Sequence, residues 1–255
     1  MTRLALTREV SSGLGRCELT HVNRQPIDIG RARAEHERYE QALIEAGCHV
    51  ERLAASAEMP DSVFIEDIAL VFDELAVMTR PGAESRRIET PSVAHALGRY
   101  RPLQAMEAPA TLDGGDVLTL GRQVFVGRSV RTNDQGVAAL GRLLAPFGYV
   151  VAAVPIAGCL HLKSAVTQVG DELLLINPKW VAPTTFEGWA FVEVDPDEPY
   201  AANALRIGKR VMYPASFPRT RARLEERQID VHPVDARELA KAEGAVTCCS
   251  LVFRP

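Results

Sequence analysis

The sequence predicts an α/β fold in which repeated strand–turn–strand units close into a ring. Three observations predict it. An apolar run, a short polar turn and a second apolar run recur four times along the chain. Each recurrence leads into a helix-like or irregular stretch, usually followed by one more short apolar run. A fifth unit is split, its first run at the C-terminus and the remainder at the N-terminus. Pairing of the two terminal runs leaves no free sheet edge, the arrangement of a radial repeat. The alternative is an open α/β sheet with coincidental hairpins.

Each element has its own signal. LALTREV (4–10) reads as a strand. Residues 31–47 read as an amphipathic helix, with Ala34, Tyr39, Ala42, Leu43 and Ala46 apolar, and HVERLAA (49–55) as a further strand. SVFIEDIALVFDELAVMTRP (62–81) is the first complete hairpin, followed by a helix pattern over 90–100. TLDGGDVLTLGRQVFVGRSVRTND (111–134) turns at "GR". Val137, Leu140 and Leu144 then share a helical face, and VVAAVPI (150–156) closes the unit. HLKSAVTQVGDELLLINP (161–178) turns at "GD" and YAANALRIGKRVMYP (200–214) at "GKR", with DVHPV (230–234) after it. A glycine-containing turn between apolar runs is the hairpin signal. VTCCSLVF (246–253) supplies only a first strand, and its partner is LALTREV.

Composition excludes several classes. With 255 residues, 47% hydrophobic and 24% charged, the chain can bury a sizeable core, and residues 1–255 are expected to form a single catalytic domain. The net charge of -4 and the lack of a basic block argue against nucleic acid. No apolar stretch reaches membrane-spanning length, and MTRLALTREV lacks a signal-peptide core. Five cysteines without a C-x-x-C pair point to free thiols in a reducing cytoplasm. Cys17, Cys48 and Cys159 have no metal-ligand spacing and read as small hydrophobes. Neither nucleotide-binding glycine motif occurs, so no cofactor is expected.

The chemistry is expected where the units begin. In a radial repeat the first strands line the centre, and the unit starts carry Asp61, Glu66, Asp67, Asp113, Asp116, His161, Asn203 and Cys248. Cysteine, histidine and carboxylate are the set for a thiolate nucleophile. Several acids in one pocket select a cation, and carboxylates match the donor fork of a guanidinium. That cation would itself favour the thiolate. Arg86 and Arg131 follow the second strands of two units and could hold a carboxylate. A guanidinium at one end and a carboxylate at the other describe an arginine-like amino acid. Strand alternation sends Cys248 and Cys249 to opposite faces, and Cys249 is assigned to the core. His21, His36, His49, His95 and His232 receive no role.

PDSVFIED, MTRPGAESRR, TLDGGD, RTN, HLKSAVT, AAN, FPRTR and TCCSL, in this order, resemble the dimethylarginine dimethylaminohydrolase (dimethylargininase) family over nearly the whole chain. That family belongs to the pentein, or guanidino-group-modifying, superfamily. The resemblance implies a five-bladed pseudosymmetric α/β propeller that hydrolyses Nω-methylated L-arginine to L-citrulline and dimethylamine or methylamine without a cofactor. It makes Cys248 the nucleophile, His161 the general acid/base and Asp113 the third catalytic carboxylate. It gives the guanidino nitrogens to Asp67, with Glu66 in support, and the α-carboxylate to Arg86 and Arg131. The α-amino group goes to Asp61 and the backbone carbonyls of Leu14 and Ala242, with the SSGLG stretch around Leu14 as a lid. Ala204 departs from relatives that carry cysteine after AAN. An arginine or hydroxyarginine hydrolase of the same fold, and a non-catalytic binding ring, remain alternatives. The expected partner is the small-molecule substrate, with no nucleic acid or membrane, and the oligomeric state is left open between monomer and homodimer.

Overall fold

The apolar runs are too short and too evenly apolar to form one two-faced sheet, and they do not. In the computed structural model, which describes residues 2–255, they form five separate three-stranded sheets. Each has an antiparallel hairpin and a third strand parallel to the hairpin's second strand. The sheets hold Ala69–Val71, Ala76–Met78 and Leu103–Ala105; Val117–Leu120, Gln123–Arg128 and Val150–Pro155; and Val166–Gln168, Leu173–Ile176 and Ala190–Glu193. The fourth holds Leu205–Ile207, Arg210–Pro214 and Asp230–Val234. The fifth joins the two ends of the chain, Leu251–Phe253 pairing with Arg3–Arg8 and that strand with Cys48–Leu53. Leu4 lies opposite Phe253 and Leu6 opposite Leu251, so the ring closes as the split unit predicts.

Strand alternation explains the packing. The second strand of each blade is a wall between two neighbours, so both of its faces are apolar, whereas third strands such as Leu103–Ala105 lie at the outside and are exposed. Leu174 and Ile176 pack with Leu118 and Phe125 of one neighbouring blade, while Leu175 packs with Val211 and Tyr213 of the other. Leu4 and Leu6 face Ile65 and Met78, while Ala5 faces Met212 and Val234. The five buried clusters thus lie one at each blade interface. Helices Ile29–Glu45, Thr90–Leu97, Asp134–Leu144 and Pro218–Glu226 join second to third strands. Asp28 and Asn133 cap the first and third of these helices.

The unit starts do not lie on strands. Asp67 sits in a 3-10 turn (Ile65–Ile68), Asp113 just before another (Gly114–Asp116), and His161 just before the short helix Leu162–Ala165. Cys248 lies in a turn ahead of Leu251–Phe253, not in the strand that the sequence suggested. The first strands are only three or four residues long, and the chain coils tightly where five blades converge. No described helix is long and apolar enough to cross a membrane.

Candidate active site

Glycine makes the convergence possible. A Cβ on Gly114 would lie 2.0 Å from the carbonyl oxygen of Glu66, and one on Gly115 would lie 2.5 Å from His161 Nδ1. The LDGGD glycines therefore serve close backbone approach. They bring the turn carrying Asp113 against the turns carrying Asp67 and His161.

His161 Nε2 meets Asp113 Oδ2 at 3.2 Å, and Asp113 Oδ1 accepts the Gly82 N–H at 2.9 Å. Asp67 Oδ1 accepts the Gly115 N–H at 3.0 Å and stands 3.9 Å from His161 Nδ1. Burial alone would lower the imidazolium, but Asp67, Asp113 and Asp116 outweigh it and raise His161 to about 9. Burial acts the other way on the thiol. It pushes Cys248 up to about 12, reinforced by Glu66 and Asp67. Burial would also raise Asp67, yet the His161 and Arg86 charges hold it down at about 2. At neutral pH the resting pair is therefore a neutral thiol beside an imidazolium.

A small cavity of about 20 Å³ is lined by Cys248, His161, Asp67 and Leu160 together with Asp61, Arg131, Arg86, Glu18, Phe64 and residues 242–244. Larger clefts lie elsewhere, one of about 420 Å³ beside Glu9, Arg33 and Arg52, but the small one gathers the buried Cys248, His161, Asp61 and Asp67. At the cavity, Asp61 accepts the Glu18 N–H through both oxygens, and burial raises its carboxyl to about 6 against the pull of Arg86. Arg131 donates to the Thr20 hydroxyl at 3.2 Å. Ala242 lies on the wall.

Three assignments differ from the sequence reading. Arg86 is not a free clamp. Its Nη1 is 2.5 Å from Asp67 Oδ2, its Nε and Nη2 reach Glu89, and Nη2 also donates to the carbonyls of Asp61 and Phe64. Glu66 faces away from the cavity. Its carboxylate takes the Lys163 ammonium and the Thr247 hydroxyl, and its N–H donates to the Cys248 carbonyl at 3.1 Å. Asn203 bonds Thr247 twice, through its backbone N–H and its hydroxyl. This network holds the nucleophile's turn from behind. Leu14 is fully buried in the core, its carbonyl accepting the Cys17 N–H, and it is absent from the cavity wall. From the stretch that follows, Glu18 lines the cavity and Thr20 meets Arg131, while the Ser11 hydroxyl donates to the Ser56 carbonyl. Asp116 bonds Ser129, Thr132 and the Leu162 N–H, tying two blades. Cys249 is buried beneath the turn, its thiol pointing to the Ala245 carbonyl.

Sequence reasoning missed Glu89, Lys163 and Glu243. Lys163 stood two places after His161 inside HLKS, but its partner is 97 residues away. Donor atoms of Asp67, Asp113 and His161 lie within 4.8 Å of one another, a spacing that suits a cation. The set does not fit a resident metal. Asp67 is spent on Arg86, and His161 holds its proton up to about 9.

No model of a known protein family matches the chain. Individual relatives do. The dimethylarginine dimethylaminohydrolase of Streptomyces coelicolor is 40% identical over 255 residues, covering 99% of this chain and 98% of its own. This chain belongs to the dimethylarginine dimethylaminohydrolase family. The Pseudomonas aeruginosa enzyme of that name is 34% identical over 228 residues, 89% of this chain and 90% of its own. A solved structure of the Pseudomonas aeruginosa protein, a cysteine-to-serine mutant complexed with citrulline, superposes with a TM-score of 0.95. It is 32% identical and covers 99% of this chain and all of its own. The amino-terminal domain of a cyanobacterial arginine dihydrolase shares the fold, with a TM-score of 0.89 at 18% identity. As a family member with this architecture, the chain is a five-bladed α/β propeller and a hydrolase.

Proposed function

We propose that the protein hydrolyses Nω-methylated L-arginine to L-citrulline and dimethylamine or methylamine, with Cys248 as nucleophile, His161 as general acid/base and Asp113 as its orienting carboxylate. One observation carries the reading: a single cavity is lined by a thiol, an imidazolium, carboxylates and the guanidinium of Arg131.

The cationic substrate guanidinium, brought beside a thiol that burial and two carboxylates hold neutral, stabilises the thiolate, and the thiol proton is released to solvent as the substrate enters while His161 keeps its own. The thiolate attacks the guanidino carbon. Asp113 holds Nε2 and leaves Nδ1, which has no hydrogen-bond partner among the described residues, to protonate the departing amine. The C–N bond breaks as the S–C adduct, a thiouronium, remains. Neutral His161 then takes a proton from water, the resulting hydroxide attacks the thiouronium carbon, the C–S bond breaks, and citrulline leaves as the proton of the adduct's hydroxyl returns to the sulfur and His161 stays protonated. Asp67 compensates the guanidinium and imidazolium charges. Arg131 takes the α-carboxylate in place of its Thr20 contact, with Arg86 behind it, and Asp61 with the Ala242 carbonyl takes the α-amino group. No step calls for a metal or organic cofactor. The small-molecule substrate is the partner, and a cytoplasmic location is part of this proposal, supported by the five free cysteines.

Incubation with dimethylarginine, arginine and hydroxyarginine, followed by a colour assay for citrulline, tests this. Citrulline from dimethylarginine and much less from the other two is expected. Preference for arginine or hydroxyarginine would replace the substrate, and no citrulline from any would leave a binding ring.

A further inference from the structure

We propose that Glu243 is a positioning residue for this reaction, a latch that holds residues 18–22 closed over the catalytic cavity and governs access to Cys248. The Glu243 carboxylate accepts three consecutive backbone N–H groups from a distant part of the chain: Thr20 at 2.8 Å, His21 at 2.5 Å and Val22 at 2.9 Å. Bonds of this charge-assisted kind are stronger than neutral ones.

The enclosed space is about 20 Å³, room for about one water, so an amino acid of arginine's size enters only if a wall moves. Most of the wall rises from turns wedged between blades. Residues 18–22 have no helix or strand, and Glu18, Thr20 and His21 are exposed. Their remaining ties are few: the Glu18 N–H on Asp61, the Glu18 carboxylate on Ser85, Arg131 on Thr20, and partial burial of Leu19.

The post, by contrast, is rigid. The Glu243 N–H bonds the Ala240 carbonyl and the Gly244 N–H the Leu239 carbonyl. A Cβ on Gly244 would lie 2.0 Å from the Phe64 ring. Glu243 itself holds φ at 58°, a left-handed conformation disfavoured for a glutamate. On the far side of this post an apolar cavity of about 240 Å³, lined by His21, Val22, Tyr200 and Phe217, leaves space beside the cover. The contact of Arg131 with Thr20 couples the cover to the cation assigned to the α-carboxylate, so a bound carboxylate competes with one of the cover's ties.

The latch rests on the proposed reaction for the identity of the substrate, not for the closure. The experiment compares the full chain with Glu243→Ala and Glu243→Gly, the latter free of the left-handed strain. In the free proteins, alkylation by iodoacetamide is mapped to individual cysteines and tryptic cleavage is followed after the exposed Arg24. Both variants are expected to alkylate Cys248 and to be cut at Arg24 about tenfold faster, as the loss of charge-assisted bonds shifts the population toward the open state. Alkylation of Cys249 and cooperative melting stay as in the parent. With dimethylarginine, KM rises while single-turnover adduct formation at saturation is retained. Unchanged Cys248 alkylation and unchanged Arg24 cleavage in both variants overturn the latch. Should neither parent nor variants yield citrulline, the proposed reaction fails, and alkylation and cleavage still decide the latch.

Discussion

Arg86 Nη1 lies 2.5 Å from Asp67 Oδ2, with both side chains sealed from solvent. The pair joins a residue expected to hold the substrate's guanidinium to one expected to hold its carboxylate, and both line the cavity. Glu89 completes it at 3.0 Å, so one buried cation is balanced by two carboxylates.

Removing Arg86 would strand those carboxylates. Breaking a buried pair in this way costs about 3–5 kcal/mol. Arg86→Ala is therefore expected to lower the melting temperature strongly and to reduce soluble yield. Arg131→Ala, with a single side-chain hydrogen bond to Thr20, is expected to melt nearly as the parent does and to raise KM for methylarginine. The KM effect should vanish with a methylguanidine that lacks the carboxylate. Equal effects on both substrates would remove Arg131 from the carboxylate.

The cysteine pair separates cleanly. Cys248→Ser is expected to abolish turnover, and Cys249→Ser to retain most of it, since the Cys249 thiol points at the Ala245 carbonyl and not into the cavity. A dead Cys249→Ser enzyme with normal melting would reverse the assignment.

His161 carries a pH signature. Its imidazolium is raised from the ordinary histidine value of 6.5 to about 9. The stabilisation it gives the fold is fully present below the unfolded value and is lost as pH rises through the folded one. His161→Gln should therefore destabilise the protein more at pH 6 than above pH 9, as read by urea unfolding. The same substitution should slow turnover about two to four orders of magnitude. A loss independent of pH would mean that His161 is neutral in the resting enzyme.

Ring closure places the nucleophile. Leu251–Phe253 pairs only with Arg3–Arg8 in its sheet, and Cys248 stands three residues before that pairing begins. Deleting the first ten residues should strip the strand's partner and expose an edge. Loss of soluble or active protein is expected. Normal melting and turnover of the truncated chain would show that closure is dispensable.

The sequence by itself determined the five units, the split of the last across the termini and the types of side chain gathered at the axis. Those features follow from local rules: apolar runs form strands, glycines turn them, and a wall between two neighbours must be apolar on both faces. Tertiary structure decided which charge meets which. The partners of Arg86, Glu66 and Glu243 lie from 3 to 223 residues away, and no spacing rule reports a contact made by the convergence of separate blades. It also decided that Cys248 rides a turn and not a strand, because five strands cannot run straight into one axis. A carboxylate's sequence gives its charge. Whether that charge is spent on a buried arginine, a lysine or a lid is set by which neighbour the ring brings within hydrogen-bond distance.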